Sequence, residues 1–463
     1  MKYISTRGQV GPVEFRRAVL MGLADDGGLL IPESIPDVSD RLDGWRELAY
    51  PQLAFEIIRH FATDIGEPDL RVLIGRAYGE AFGPEVAPTR PVGELWVQEL
   101  FGGPTLAFKD VALQLLGNLF EHILAGEPDR ELNILAATSG DTGSAAICGV
   151  RGRRGIRIFV MHPHGGVSAI QERQMTTVLD DNVHNIAVEG SFDDCQAIMK
   201  RLAADLEFKR AASLGAVNSV NWARVVAQIV YYVKAVFDVQ KATGAPAVQV
   251  AVPTGNFGNV LAGWYAMRMG APISRLLLAT NVNNILARFF NTGVYALGEV
   301  HHTISPSMDI QVASNFERYL YYRTGEDPAA LRAMMQRFAQ TGSLAVDAAG
   351  GAAVDPAFAA DAADEDQTLE TIRKYHADHN YLLDPHTAVG VCVAERLAGS
   401  GEDPTVCLAT AHPAKFPAAI ERATGKDIAH HPAIDALADL PTRCTVVPND
   451  QQTVRRFILD KIG

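Results

Sequence analysis

Leu132-Asn133-Ile134-Leu135-Ala136-Ala137 runs directly into Thr138-Ser139-Gly140-Asp141-Thr142-Gly143-Ser144, and a helical pattern continues from Ala145. The first six residues are a short apolar run of strand length, and the Gly, Ser and Thr cluster after them is a loop. A buried strand, a polar loop and a helix in that order make one β-loop-α unit. The same unit recurs outward in both directions. Leu95–Leu100, Arg157–Met161, His184–Val188, Ala247–Val252, Arg275–Ala279 and Thr405–Ala409 read as further buried strands, most followed by a loop with Gly, Ser, Thr or Asn. Repeated units of this kind predict an α/β fold, a parallel-type sheet flanked by helices. Ligands in such sheets sit beyond the carboxyl ends of the strands, so chemistry is expected in the polar loops.

The first part of the chain has a different rhythm. Phe15–Leu23 is helical in period, and the turn Asp25-Asp26-Gly27-Gly28 leads to Leu29-Leu30-Ile31-Pro32. From Trp45 to Phe82 the apolar residues Leu48, Leu53, Ile57, Ile58, Phe61, Leu73, Ile74, Tyr78 and Phe82 recur mostly at helical spacing. Pro84, Pro88 and Pro91 punctuate the end of that pattern. The expected organisation is a mainly helical N-terminal domain over residues 1–90, followed by a core of two α/β subdomains over 91–463. His301–Met335 lacks a clear strand and reads as a helical insertion at about 300–345, and Ala345–Ala363 reads as an Ala-rich connector.

Composition narrows the function classes. The chain has 463 residues, with 54 acidic against 41 basic ones and a net charge of −13. Nucleic-acid binding would need a basic stripe, and an anionic membrane surface would repel this balance. No apolar stretch approaches the length of a membrane span. The five cysteines (Cys148, Cys195, Cys392, Cys407, Cys444) are scattered with no Cys-x-x-Cys pair, and Met1–Gly8 has no signal-like apolar run. A cytoplasmic protein is expected. His301-His302 and the His376/His379 pair have no third ligand at suitable spacing, so no metal is expected.

Three loops carry chemistry. In Gly102-Gly103-Pro104-Thr105-Leu106-Ala107-Phe108-Lys109-Asp110 the lysine falls in the first turn of an amphipathic helix, among apolar neighbours. Desolvation and the helix dipole both lower a lysine pKa there, as Schiff-base chemistry requires. The bland alternative is a surface lysine paired with Asp110. The loop at Ser139, Gly140, Asp141 and Thr142 offers successive amides and hydroxyls to an anion, or is only a capped helix start. Pro253-Thr254-Gly255-Asn256-Phe257-Gly258-Asn259 also resembles a phosphate cradle. It lacks the Gly-Lys-Ser/Thr ending of a nucleotide loop and the Gly-x-Gly-x-x-Gly of a dinucleotide site. A lysine at a helix start with two such cradles points to pyridoxal phosphate.

Seven ordered segments then carry a resemblance. They are Gly22–Leu29, Pro104–Asp110, Ser139–Gly143, Asn218–Asn221, Gly255–Asn259, Asp384–Val389 and Thr410–Phe416. The chain resembles the threonine synthases, of the longer class with an N-terminal module, over nearly its whole length. The resemblance implies a fold type II pyridoxal-phosphate enzyme converting O-phospho-L-homoserine and water to L-threonine and phosphate. It implies that Lys109, next to Phe108, binds the cofactor covalently and carries protons. Gly255, Asn256, Phe257, Gly258 and Asn259 would hold the cofactor phosphate, Asp141 would lie by the ring hydroxyl, and Thr410 would meet the pyridine nitrogen. Asp141 departs from the asparagine of short-chain relatives. A carboxylate beside a phenolate must share a proton or turn away.

The substrate brings a second phosphate, for which Asn218-Ser219-Val220-Asn221-Trp222-Ala223-Arg224 is the candidate cradle, with a guanidinium at a helix start. In the resemblance Asn218, Ser219, Arg224 and Asn256 take that phosphate, while Ser139, Gly140 and Thr142 take the α-carboxylate. Arg224 as an ordinary surface arginine is the alternative. The partner is a small-molecule substrate, and the assembly a monomer or homodimer. A related pyridoxal-phosphate lyase and a catalytically silent relative are the competing readings.

Overall fold

The computed structural model describes residues 1–127, 130–346, 354–398 and 403–463. Two sheets organise them. The larger has the strand order Phe358–Ala362, Ile273–Thr280, Val248–Pro253, Thr405–Ala409, Leu95–Glu99, Thr89–Val92. Every neighbouring pair in it is parallel except the final Thr89–Val92/Leu95–Glu99 hairpin. The smaller is parallel throughout, in the order Thr445–Pro448, Val183–Glu189, Ile156–Pro163, Leu132–Ala137, Leu214–Gly215.

The strands are apolar on both faces, and the alternation of side chains sends each face into a different core. Val250, Val252, Leu276, Leu278, Val406 and Leu408 join the main core, packed with the helices Trp222–Thr243 and Gly258–Arg268. Ala251, Leu277, Cys407 and Ala409 face the opposite way, toward Ala388, Val391 and Ala394 of the helix Pro385–Leu397. The smaller sheet divides likewise, with Ile134, Ile158 and Val160 on the main core and Leu135, Phe159 and Met161 on a second one.

The chain leaves the larger sheet through the helix Lys109–Ala125 and builds most of the smaller sheet. It returns through Trp222–Thr243, and its last strand, Thr445–Pro448, crosses back. The Tyr50–Ile58 helix packs on Trp222–Thr243, and Glu67–Ala77 on Lys109–Ala125. Trp222 sits between Tyr3, Phe61 and Tyr265 at ring-centroid distances of 6.0, 5.7 and 5.0 Å. The N-terminal residues thus share one hydrophobic core with the sheets. Residue 90, the expected boundary, lies inside the strand Thr89–Val92 of the larger sheet.

All seven strands expected from the sequence are present. Others are short or poor in β-formers and carried no such signal: Tyr3–Ser5 paired with Leu30–Pro32, Thr89–Val92, Leu214–Gly215 and Thr445–Pro448. The Ala-rich connector needs correction. Phe358–Ala362 within it is an edge strand held by parallel pairing with Leu276–Thr280, which overrides the weak strand preference of alanine. Residues 347–353 of that stretch lie outside the described residues. The insertion at 300–345 is helical only over Phe316–Arg323 and Pro328–Thr341. Its first half is loop with a short 3₁₀ turn, and Val294–Ala296 pairs with Ser343–Ala345 as an antiparallel ribbon.

Candidate active site

Four loops converge at the carboxyl ends of Leu95–Glu99, Leu132–Ala137, Val248–Pro253 and Thr405–Ala409. The first is laced to the last. Phe108 N–H donates to Thr410 O at 2.9 Å, and His412 N–H donates to Leu106 O at 3.0 Å. Within it the Asp110 carboxylate accepts from the amide and hydroxyl of Thr105 at 2.8 and 2.7 Å. Burial pushes the Asp110 carboxyl up to about 6. Asp110 is therefore committed to folding the loop, and Lys109 is not its surface partner. Lys109 is buried, and its ammonium donates to Asp141 Oδ2 at 3.2 Å and to Ser307 Oγ at 3.4 Å. It stands 5.0 Å from the centre of the Phe108 ring.

Asp141 opens the helix Asp141–Val150 and is caged by donors. Lys415 Nζ stands 3.0 Å from Oδ1, and Gln171 Nε2 donates to the same oxygen at 3.0 Å. Ser307 Oγ donates to Oδ2 at 3.3 Å. Burial alone would raise this carboxyl, but the charges of Lys415 and Lys109, with His386 and the Gln171 amide, hold it well below the usual carboxylate range. Asp141 is an ionised group that faces Lys109. Lys109 is itself lowered, by burial first and by the nearby Lys415 and Arg224 charges, against the pull of Asp141.

The turn before this helix is tied by Thr138, whose Oγ1 accepts from the amides of Gly140 and Gly143 at 3.0 and 2.9 Å. Gly140 has φ +135°, and a Cβ there would lie 2.4 Å from the Gln171 side chain, so only glycine fits. Ser139 and Thr142 flank it half-buried. Thr410 is buried, with its amide on Thr387 Oγ1 at 3.1 Å. Ser307 is set by a relay from Asp384. Its N–H donates to His386 Nε2 at 3.1 Å, so His386 Nδ1 carries the proton donated to Asp384 Oδ1 at 2.9 Å.

In the third loop Phe257 takes φ +64°, and its ring stacks on Phe290 at 6.0 Å. The side chain anchors the loop from behind, so only its backbone is offered to a ligand. Among the described residues the amides of Gly255, Asn256, Gly258 and Asn259 donate to no protein acceptor, at the start of the helix Gly258–Arg268. Asn259 Oδ1 accepts from the hydroxyls of Tyr231 and Tyr232 at 2.6 and 2.9 Å, while its Nδ2 is buried without a partner. Free amides at a helix start are an anion site.

Arg224 is 3% exposed, so it is no surface arginine. Nη1 donates to Val217 O at 2.9 Å, and Nε is buried without a partner. Burial pulls the guanidinium down to about 10. Ser219 meets Ser314 Oγ at 3.0 Å and accepts from Asn315 Nδ2 at 3.1 Å, and Ser314 donates to Asn256 Oδ1 at 3.2 Å. Ser219 and Asn256 are thus brought into one polar cluster, while Asn218 Nδ2 stands 3.8 Å from Met199 Sδ. The N-terminal residues brace this turn. Asn221 Nδ2 donates to Val19 O at 2.9 Å, and the fully buried Arg318 donates to Leu30 O and to Val220 O.

Sequence reading missed Thr138, Gln171, Ser307, Ser314, Asn315, His386 and Lys415. His386 and Lys415 stood inside segments that carried the resemblance, without a role. Ser307 had no signal, because only tertiary folding brings it to Lys109. No group of His, Cys, Asp or Glu among the described residues is arranged to hold a metal.

A buried lysine, free amides at a helix start and a buried guanidinium with no carboxylate partner among the described residues fit pyridoxal phosphate and an anionic substrate. With two parallel-type sheets they define a fold type II pyridoxal-phosphate-dependent enzyme, and pyridoxal phosphate is its cofactor. The family model for pyridoxal-phosphate dependent enzymes matches residues 85–364, flanked by those for the threonine synthase N terminus at 2–78 and C-terminal part at 387–458. A threonine synthase of Pseudomonas aeruginosa is 47% identical over 99% of this chain and 98% of its own length. The solved threonine synthase of Brucella melitensis, with pyridoxal phosphate bound, superposes with a TM-score of 0.93 at 41% identity, covering 100% of this chain and 99% of that one. The yeast enzyme gives 0.93 at 38%, covering 100% and 98%. The chain belongs to the threonine synthase family, and is a pyridoxal-phosphate-dependent lyase of threonine biosynthesis acting on a small molecule.

Proposed function

We propose that the substrate is O-phospho-L-homoserine and that Lys109 both holds the cofactor and moves the protons. Bound pyridoxal phosphate supplies an electron sink for charge developing on the amino-acid carbons. The Lys109 amine takes the Cα proton and then assists removal of one from Cβ. Phosphate leaves from Cγ, water adds its hydroxyl at Cβ, and the three protons released from Cα, Cβ and water end on Cγ, Cα and the departing phosphate. A general base must be neutral near the working pH, and the lowered Lys109 supports that role. Gly255, Asn256, Phe257, Gly258 and Asn259 would cradle the cofactor phosphate with backbone amides, and Phe108 would flank it. The Thr410 hydroxyl would be a neutral partner for the ring nitrogen, and Asp141 would lie by the ring hydroxyl. Ser139, Gly140 and Thr142 would take the α-carboxylate, and Asn218, Ser219, Arg224 and Asn256 the substrate phosphate.

The single observation that carries this reading is Arg224, buried with its Nε unbonded and no carboxylate partner among the described residues. Such a charge calls for an anion from outside the chain. No helix among the described residues is long and apolar enough to cross a membrane, and the five cysteines are free thiols; a cytoplasmic enzyme, monomeric or homodimeric, is the reading proposed. The test is product identification from purified protein with pyridoxal phosphate and O-phospho-L-homoserine. Threonine with an equal amount of phosphate is expected. Phosphate with 2-oxobutyrate would make the protein a phospholyase, and no turnover a silent relative.

A further inference from the structure

We infer that Lys415 is a positioning residue that takes up the charge of Asp141 and so leaves Lys109 free to act as a neutral amine. The inference rests on Lys109 as the cofactor lysine and goes beyond it, since it says how that amine is kept usable beside a carboxylate.

Lys415 ends the short 3₁₀ turn Pro413–Lys415, four residues beyond a core strand, and its side chain is 0% exposed. It donates to Thr105 O at 2.8 Å and to Gln174 Oε1 at 2.8 Å, and stands 3.0 Å from Asp141 Oδ1. Lys109 has only the longer contacts to Asp141 Oδ2 at 3.2 Å and Ser307 Oγ at 3.4 Å. Two ammonium groups thus share the Asp141 carboxylate, one cation more than it can offset, on side chains no more than 9% exposed. Low dielectric disfavours that excess, and the less firmly bonded group is the one to release a proton. That group is Lys109.

The surrounding charges act in the same sense. Arg224 is cationic and adds to the pressure on Lys109. His386 meets Asp384 through Nδ1 and faces the cage only through Ser307, whose amide donates to its Nε2. Asp110, next in sequence, turns to Thr105. Without Lys415, Asp141 would pair with Lys109 alone and hold it protonated. It would then serve neither covalent cofactor attachment nor proton abstraction.

The measurement is the pH dependence of Lys109 reactivity in the full-length chain freed of cofactor, by competitive acetylation and peptide mass spectrometry. Lys415→Met is expected to raise the midpoint by about one to three pH units. The acid limb of the kcat profile of the holoenzyme moves in the same direction. Lys415→Arg, which keeps the charge, leaves the midpoint near wild type. An unchanged midpoint in a folded Lys415→Met overturns the inference.

Where the single variant does not fold, Asp141→Asn/Lys415→Met decides. Removing a self-cancelling pair leaves the Lys109 midpoint within about half a pH unit of wild type. A fall of about one unit or more means that Asp141 serves Lys109 and Lys415 is structural. Borohydride trapping of the bound cofactor followed by peptide mapping tests Lys109 as the attachment point separately. An adduct on another lysine defeats the functional reading and leaves the Lys109–Asp141–Lys415 measurement intact.

Discussion

Asp141 and Arg224 are each a single buried charge near the start of a helix, and the chain treats them in opposite ways. Around Asp141 it supplies Lys109, Lys415, Gln171 and Ser307, so both carboxylate oxygens are satisfied. Around Arg224 it supplies one carbonyl and leaves Nε bare. A buried charge without partners is costly. The first site is complete by itself, and the second has room for a ligand. In the proposed reading the difference separates a charge that organises chemistry from one that waits for the substrate phosphate.

That contrast can be broken at four points. Lys109→Ala removes the lysine that faces Asp141. It should abolish the covalent cofactor absorbance band and cut kcat by at least the roughly 10²–10⁴-fold of a lost general base, read by spectrophotometry and product assay. Asp141→Asn leaves the buried Lys415 uncompensated, so urea unfolding of the cofactor-free chain should show a loss of about 3–5 kcal/mol. Arg224→Met has the opposite sign for stability, since it removes an unpaired buried charge, and the cofactor-free chain should melt no lower than wild type. Its KM for O-phospho-L-homoserine should rise about tenfold to a hundredfold, the equivalent of roughly 1.5–3 kcal/mol for a charge-assisted contact, with cofactor colour intact. Lost colour with normal KM would assign Arg224 to the cofactor.

The smallest effect compares Asp141 with Asp110, the buried carboxyl beside Lys109. The Asp110 carboxyl is raised from an ordinary 3.8 to about 6. The native state therefore holds its proton more tightly than the unfolded chain, and this group's contribution to stability declines as pH rises from about 4 through 6. Asp141 is lowered instead, so its contribution is present above the unfolded value and is lost as pH falls below about 4 toward the folded one. Urea midpoints across a pH series should show a decline between about pH 4 and 6 that Asp110→Asn flattens. An equal slope in the variant would show that Asp110 does not titrate there.

The repeated strand-loop-helix units were legible because buried parallel strands are apolar on both faces and their loops are polar. Phe358–Ala362 was not, because a strand of three alanines forms only where a neighbour offers a ladder. The candidate loops were equally legible as loops, since Lys109, Gly140 and Gly255–Asn259 each sit in a pattern local in sequence. Ser307 was hidden because its place depends on a hydrogen bond to His386, 79 positions away in the chain.

By itself the sequence determined the fold class and the cofactor, and it offered Lys109 as the lysine to bind it and three loops as candidate anion cradles. Each follows from local pattern, in residues whose chemistry reads from their immediate neighbours. Which charges are paired was decided only by the tertiary structure. Sequence alone offered Asp110 as the partner of Lys109 and left Asp141 to share a proton or turn away. The fold turns Asp110 to Thr105, sets Asp141 between two lysines and buries Arg224 with no counter-charge among the described residues. Pairing inside a protein depends on distance and exclusion of water, and both are set by segments far apart in the chain.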